Sequence, residues 1–278
     1  MILKSETLLS IKGVAKHFDE IEALSHIDLD IRSGEVVGLV GSNGAGKTTL
    51  LRLMAGVYTP TKGTVTLKDG SDVTKMRHLL GVVPESTGLY SRLTAWENIR
   101  YHSRLYGIDD ETSWKRTQLF ASRLGMSDSL SRHTKGFSRG MKQKTALLRA
   151  LAHGPSILLL DEPTAGLDIT SARTVRALVK QLRDEGGTVV YSTHQLEEAR
   201  QVCDRIIIIH NGEVRADGSP QQLMEQTEQD SLEEAYVSLT ADQARSRNED
   251  ADSEGRITAW WRNLFTPKTP ELEVDIDG

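Results

Sequence analysis

A glycine-rich loop that ends in lysine and threonine is the first part of the sequence that could do chemistry. It matches the motif G-x-x-x-x-G-K-S/T. Glycines let backbone N–H groups turn inward around phosphates, and a helix that begins at the lysine points its positive end at them. The lysine can then contact the β- and γ-phosphates, and the threonine hydroxyl can bind Mg²⁺. The predicted nucleotide-binding residues here are Gly41, Ser42, Asn43, Gly44, Ala45, Gly46, Lys47, Thr48 and Thr49.

A pair of acidic residues after an apolar run is the second candidate. Asp161 and Glu162 directly follow residues 157–160, Ile-Leu-Leu-Leu. A buried strand that ends there places Asp161 at the carboxyl edge of the sheet, beside the phosphate loop, where it can hold Mg²⁺. Glu162 is suited to polarise an attacking water. Alone, this pattern fits a solvated turn equally well, but with the phosphate loop it indicates hydrolysis of a nucleotide.

The elements that must position these residues follow from hydrophobic patterning. Four short runs are typical of strands buried on both faces of a sheet: residues 36–40, 157–160, 188–191 and 206–209. Helical spacing of apolar residues separates them, as in residues 171–183. We therefore predict an α/β fold, a P-loop NTPase core with a mainly parallel sheet, and a helical insertion over about residues 95–152.

Composition limits the classes of function. The chain has 278 residues and a formal net charge of −5, which argues against a nucleic-acid partner because phosphate backbones attract a surplus of Lys and Arg. Cys203 is the single cysteine, so no disulfide can form within the chain, and a reducing, intracellular setting is predicted. No apolar run approaches the roughly 20 residues that span a bilayer, and the N-terminus lacks a signal peptide's apolar core. A membrane pore, if the function needs one, must come from another chain.

A third motif narrows the family. Residues 137–143 read Phe-Ser-Arg-Gly-Met-Lys-Gln and open a helix rich in cations. With the two motifs above, the sequence resembles the ABC ATPase family, whose signature at this place is usually L-S-G-G-Q. The resemblance covers about residues 5–235 and implies an N-terminal antiparallel β subdomain, a helical signature subdomain, ATP and Mg²⁺ as cofactors, and a dimer. In that dimer, Ser138 and the backbone of Gly140 contact the γ-phosphate of ATP held by the other subunit.

Further positions extend the resemblance. Residues 165–168 look like the family's loop that communicates across the dimer, and His194 matches the switch histidine that contacts the γ-phosphate. Glu162, His194 and Lys47 are therefore the predicted catalytic residues. Phe18 occupies the region of the aromatic residue that stacks on adenine, and a core position is the alternative for it.

Three substitutions depart from the usual family pattern. Arg139 and Met141 replace a glycine and the glutamine of the signature. Glu85 stands where the family usually has a glutamine that touches Mg²⁺ and links the site to the membrane partner. A carboxylate can also bind Mg²⁺, so the predicted metal-binding residues are Thr48, Asp161 and Glu85.

The detailed motifs and the single-cassette length resemble one branch, the type-2 ABC exporters, which includes bacterial sodium-efflux and multidrug-export cassettes. The resemblance implies two partners: a second copy or a homologous cassette, and an integral-membrane permease contacted by residues 79–100 at the cytoplasmic face of the membrane. A soluble ABC ATPase of translation or DNA repair is the main alternative, disfavoured by the single phosphate loop. An ATP-binding regulator without turnover is a third, disfavoured by the presence of Glu162 and His194.

The C-terminal region lies beyond the resemblance. Residues 240–255 are almost wholly polar and predict a flexible linker. Residues 256–278 form a tail in which Ile257, Trp260, Trp261 and Leu264 share one face of a short predicted helix. We predict a protein–protein contact for this face, with docking on the chain's own core or a membrane interface as alternatives.

Overall fold

The computed structural model describes residues 6–75 and 77–250. The strands are β1 Thr7–Phe18, β2 Ile21–Arg32, β3 Val36–Val40, β4 Lys62–Leu67, β5 Leu80–Val83, β6 Ile157–Asp161, β7 Thr188–Thr193, β8 Arg205–His210 and β9 Glu213–Gly218. The α-helices are α1 Lys47–Met54, α2 Ala95–Leu105, α3 Asp110–Leu124, α4 Arg139–Leu151, α5 Ile169–Asp184, α6 Leu196–Val202, α7 Pro220–Thr227 and α8 Leu232–Asp250.

Among the described residues, the larger sheet has six strands in the order β5-β6-β7-β3-β8-β9. Neighbouring strands pair in parallel except β8 and β9, which are antiparallel. Every residue of β3, β6 and β7 is buried, which explains why these segments read as continuous apolar runs. The predicted α/β fold with a mainly parallel sheet is confirmed. Because β6, β7 and β3 are neighbours, the loops after their carboxyl ends meet at one edge of the sheet.

The smaller sheet is antiparallel, in the order β2-β1-β4. In β2, Ile27, Leu29 and Ile31 are buried whereas Asp28 is exposed, as the alternating sequence predicts. The apolar face of this sheet packs on residues of β3 and α1, including Leu39. The antiparallel sheet therefore supports the strand and helix on either side of the phosphate loop.

Helices α2, α3 and α4 form the predicted helical subdomain. Each begins at a residue whose side chain caps the helix: Thr94 for α2, Asp109 for α3 and Ser138 for α4. Trp96 and Trp114 pack edge to face with ring centroids 4.7 Å apart and join α2 to α3. The first turn of α4, which carries the signature motif, is thereby held on a packed three-helix unit.

The C-terminal helices differ from the sequence prediction in one respect. Helix α7 begins with Ser219 as its cap and Pro220 in its first turn, as expected. Helix α8 continues to Asp250 and so occupies the first part of the segment for which we predicted a polar linker, residues 240–255. Ala, Gln, Arg and Glu are good helix formers, so a polar composition here is compatible with a helix. Residues 256–278, including the predicted tryptophan face, lie outside the described residues.

Candidate functional site

The phosphate loop connects β3 to α1, and its shape depends on glycine at two positions. A Cβ atom on Gly41 would lie 2.2 Å from the carbonyl oxygen of Ile209, so no side chain fits there. Gly46 caps α1 with a φ of +109°, and a Cβ on it would lie 2.9 Å from the carbonyl oxygen of Ala23. The loop is therefore held tightly against the sheet, with the N-terminus of α1 at its end.

Lys47 begins α1 and is only 5% exposed, and its side chain turns back to the start of the loop. Its ammonium donates to the carbonyl oxygens of Gly41, at 2.8 Å, and Ser42, at 3.1 Å. The same nitrogen is 3.5 Å from Oε1 of Glu162. A buried ammonium beside the phosphate loop is suited to bind an anion that enters the loop.

Thr48 and Asp161 place two oxygen atoms side by side, as the sequence predicts for a metal site. The Thr48 hydroxyl donates to Oδ1 of Asp161 at 3.1 Å, and Ser192 donates to the same oxygen at 2.8 Å. Asp161 ends β6 and is buried. Hydroxyl and carboxylate oxygens are the ligands that Mg²⁺ prefers. These residues therefore fit a Mg²⁺ ion whose remaining ligands would come from phosphate and water.

Glu162 points away from Asp161 and meets the predicted switch histidine. Its φ of +47° is rare for a residue other than glycine, and its N–H donates to the Ser192 hydroxyl at 2.9 Å. Oε2 of its carboxylate lies 2.8 Å from Nδ1 of His194, which follows β7. The backbone turn thus sends two adjacent carboxylates to separate positions: Asp161 to the Thr48 hydroxyl, Glu162 to Lys47 and His194.

A cavity of about 380 Å³ lies in front of the loop and gathers most of the predicted residues. Its walls are residues 43–49 together with Glu85, Glu162 and His194, and Ala23 and Ala165 complete them. Lys47 and Glu162 face the same space, so bound phosphate and the carboxylate that would activate water are adjacent. The geometry supports transfer of a phosphoryl group to water.

Glu85 is exposed on the wall of this cavity, just after β5. Glu85→Gln should leave ATP hydrolysis by the isolated chain within a few-fold of wild type, or raise it, because the amide removes a negative charge that repels phosphate. Steady-state ATPase assays check this, with the exposed Glu111→Gln as a matched control. A collapse of hydrolysis in Glu85→Gln alone would show that the carboxylate is an indispensable ligand.

Five predicted nucleotide-binding residues do not line the cavity: Gly41 and Ser42, at the start of the phosphate loop, and Phe18, Ser138 and Gly140. Ser138 is exposed and caps α4, where its hydroxyl accepts from the Met141 N–H at 3.2 Å, and Gly140 lies behind it. Phe18 ends β1 at the surface, 37% exposed, so the alternative of a core position does not hold. Its ring packs edge to face on Tyr58, with centroids 5.3 Å apart.

Ser192 is a site residue that the sequence analysis missed. It bridges the two carboxylate residues, donating to Asp161 and accepting from the N–H of Glu162. The only signal for it is a hydroxyl residue within β7 shortly before His194. That signal has meaning only once β6 and β7 are known to be neighbours.

Comparison with known proteins identifies the family. A family profile described as "ABC transporter" matches residues 24–165. The ABC transporter ATP-binding protein NatA of Bacillus subtilis is 43% identical over 240 residues, which cover 83% of this chain and 97% of NatA. The chain belongs to the ATP-binding subunits of the ABC transporter family. A second profile, described as an AAA domain, putative AbiEii toxin, matches residues 133–199 of the same cassette.

Other cassettes share the fold and the sequence pattern. The linearmycin resistance ATP-binding protein LnrL of Bacillus subtilis is 32% identical over 83% of this chain and 75% of its own length. A solved ATP-binding subunit of an ABC transporter superposes with a TM-score of 0.77 at 30% identity, covering 84% of this chain and 99% of that subunit. A dimeric cassette in a post-hydrolysis state with ADP and Pi gives 0.68 at 30% identity, covering 76% and 98%. Within the described part of this cassette, no helix has both the length and the apolar character needed to cross a membrane.

Proposed function

We propose that this chain is a Mg²⁺-dependent ATPase that dimerises around ATP and powers export through a separate membrane permease. One observation carries the proposal. The cavity that contains Lys47, Glu162 and His194 is not lined by Ser138 or Gly140, which the family signature assigns to the same γ-phosphate. A second copy of the chain, or a homologous cassette, must then supply these two residues.

The residues of one chain divide the work of hydrolysis. Lys47 and the N–H groups of the loop bind and orient the phosphates. Thr48 and Asp161 would hold Mg²⁺, which neutralises developing phosphate charge when bound. The Glu162 carboxylate, held at Oε2 by Nδ1 of His194, accepts the proton of the attacking water. The second imidazole nitrogen of His194, on a side chain that is 44% exposed, remains available to the γ-phosphate.

The signature end of α4 is suited to complete the site of another chain. Ser138 caps a helix of 13 residues, and free N–H groups in a first turn attract anions. A Cβ on Gly140 would lie 2.5 Å from the hydroxyl oxygen of Ser171, so this turn also packs closely on α5. The relative bound to ADP and Pi is a dimer, which supports a dimer of this chain.

A permease is the proposed membrane partner, and residues 79–100 the proposed contact surface, at the cytoplasmic face of the membrane. Tyr90 in this segment is 55% exposed and packs edge to face on Tyr101, which is 48% exposed, with centroids 5.6 Å apart. Exposed tyrosines are typical of protein interfaces. Export is favoured because relatives of this chain include a linearmycin resistance protein and YbhF of Escherichia coli, a probable multidrug transporter subunit.

A soluble ABC ATPase without a permease is the second candidate. The net charge of −5 disfavours the nucleic-acid partners that translation and repair factors require.

Membrane association separates the two candidate functions. Affinity purification of the tagged chain from detergent-extracted membranes should recover a multi-span membrane protein, and Tyr90→Glu should lose it.

Leu119→Glu, at an apolar position on α3 of similar exposure, is the matched control and should retain the partner. Recovery of the chain from the soluble fraction alone, without a membrane protein, would favour the soluble ATPase.

A further inference from the structure

Glu198 is a buried carboxylate to which neither the family motifs nor the proposed chemistry assigns a role. It lies in the first turn of α6 and is 4% exposed. Its oxygens accept from the Thr164 hydroxyl at 2.7 and 2.9 Å and from the Thr193 hydroxyl at 3.0 Å. Nη1 of Arg176 is 3.3 Å away. A carboxylate is costly to bury, and here several donors compensate for the loss of water.

The two hydroxyl donors come from the segment that follows Glu162 and from the segment that leads into His194. Thr164 is two residues beyond Glu162 and begins a loop, residues 164–168, that ends at the cap of α5. Thr193 is the last residue of β7 and directly precedes His194. Glu198 is thus the common acceptor for a segment that leads to the proposed dimer contact and a segment that carries the switch histidine.

The contact with Thr193 acts on the turn that contains His194. A hydroxyl has one proton, and here it is donated to Glu198, so the lone pairs of Thr193 Oγ1 are free to accept. The N–H of Gln195 donates to that oxygen at 3.1 Å. The Thr193 hydroxyl therefore links Thr193 to Gln195, the residues on either side of His194. Glu198 sets the direction in which this hydroxyl points. The phenol of Tyr191 lies 3.4 Å from the Thr164 hydroxyl, and burial raises its pKa, so it stays protonated beside this carboxylate.

We propose that Glu198 is a positioning residue for ATP hydrolysis. It fixes the position of the turn that carries His194 relative to the 164–168 loop. The imidazole then contacts Glu162 while the loop contacts the second chain. The inference rests on the proposed function, since it requires that Glu162 and His194 hydrolyse ATP. Glu198 itself touches neither the cavity nor the reacting atoms.

Glu198→Gln tests this, with Glu197→Gln as a matched control, because Glu197 is adjacent, exposed and paired with Arg200. Glu198→Gln should lower kcat by about ten- to a hundredfold, the scale expected when a catalytic group is displaced. KM for ATP should change by less than about threefold, because the phosphate loop is untouched. Glu197→Gln should behave as wild type.

A double-mutant cycle with His194→Ala separates positioning from general damage to the fold. If Glu198 acts through His194, Glu198→Gln should slow single-turnover hydrolysis far less in the His194→Ala background than in wild type. Thr193→Val, which keeps the side chain's shape and removes only its hydroxyl, should reproduce the fall in kcat, and decides the matter if Glu198→Gln does not fold. The proposal would be overturned if Glu198→Gln and His194→Ala slowed hydrolysis by independent factors that multiply in the double mutant. A wild-type kcat in Thr193→Val would also overturn it. An inactive wild-type chain would instead refute the proposed ATPase function.

Discussion

Glu162→Gln should reduce ATP turnover by roughly two or more orders of magnitude, the scale of lost general-base assistance, while ATP still binds. The amide keeps the size of the side chain but cannot take a proton from water. Lys47, Thr48 and Asp161 are unchanged, so the phosphate cradle and the metal-binding oxygens remain. Removing the charge 3.5 Å from Lys47 should also favour an incoming phosphate. Single-turnover hydrolysis and calorimetry with ATP measure the two effects.

The comparison needs a glutamate outside the site. Glu111 is exposed on α3 and paired with Lys115, so Glu111→Gln should hydrolyse ATP as wild type does. Turnover by Glu162→Gln within a few-fold of that control would mean that another group activates the water. Loss of ATP binding in Glu162→Gln would mean that the carboxylate supports the loop rather than the chemistry.

Lys47→Ala should lose ATP binding itself, not only turnover. The ammonium is buried and donates to the carbonyl oxygens of Gly41 and Ser42, so its removal takes the central positive charge out of the loop. It also leaves the negative charge of Glu162, whose side chain is 14% exposed, without the lysine ammonium that offsets it. The carboxylate then repels the phosphates more strongly. Removing one partner of a buried charged contact costs about 2–5 kcal/mol, which corresponds to a loss of affinity of roughly thirtyfold or more.

Isothermal calorimetry with ATP on Lys47→Ala measures that loss. Lys115→Ala, at an exposed position on α3, is the matched control and should bind ATP as wild type does. A thermal melt of each variant shows whether the chain is folded. Unchanged affinity in a folded Lys47→Ala chain would contradict the role that we assign to the lysine.

The sequence was sufficient to predict the part of the site that follows from compact motifs. Residues 41–48 are contiguous, and the glycines, lysine and threonine must share one loop. Asp161, Glu162 and His194 each come at or just after the end of a buried strand. Parallel strands bring such ends to one edge, so their meeting with the phosphate loop could be expected from the pattern of elements.

The parts that could not be predicted depend on contacts between distant segments. Ser192 and Glu198 make their contacts because β6 and β7 are adjacent and α6 packs on β7 and β3, which no local pattern states. Phe18 packs on Tyr58, forty residues further along the chain, and no local pattern indicates that contact. The polar region after Thr240 was expected to be a linker, but the structure has a helix as far as Asp250. A polar composition is common to disordered segments and to solvated helices, so composition alone does not distinguish them.

Sedimentation velocity of the Glu162→Gln chain, with and without ATP and Mg²⁺, tests the central claim most directly. The claim is that each ATP lies between Lys47 of one chain and Ser138 of another. We expect a monomer without nucleotide and a dimer with ATP, and we expect Ser138→Arg in the same background to bind ATP as a monomer. A Glu162→Gln chain that is saturated with ATP and still sediments as a monomer would contradict the shared site.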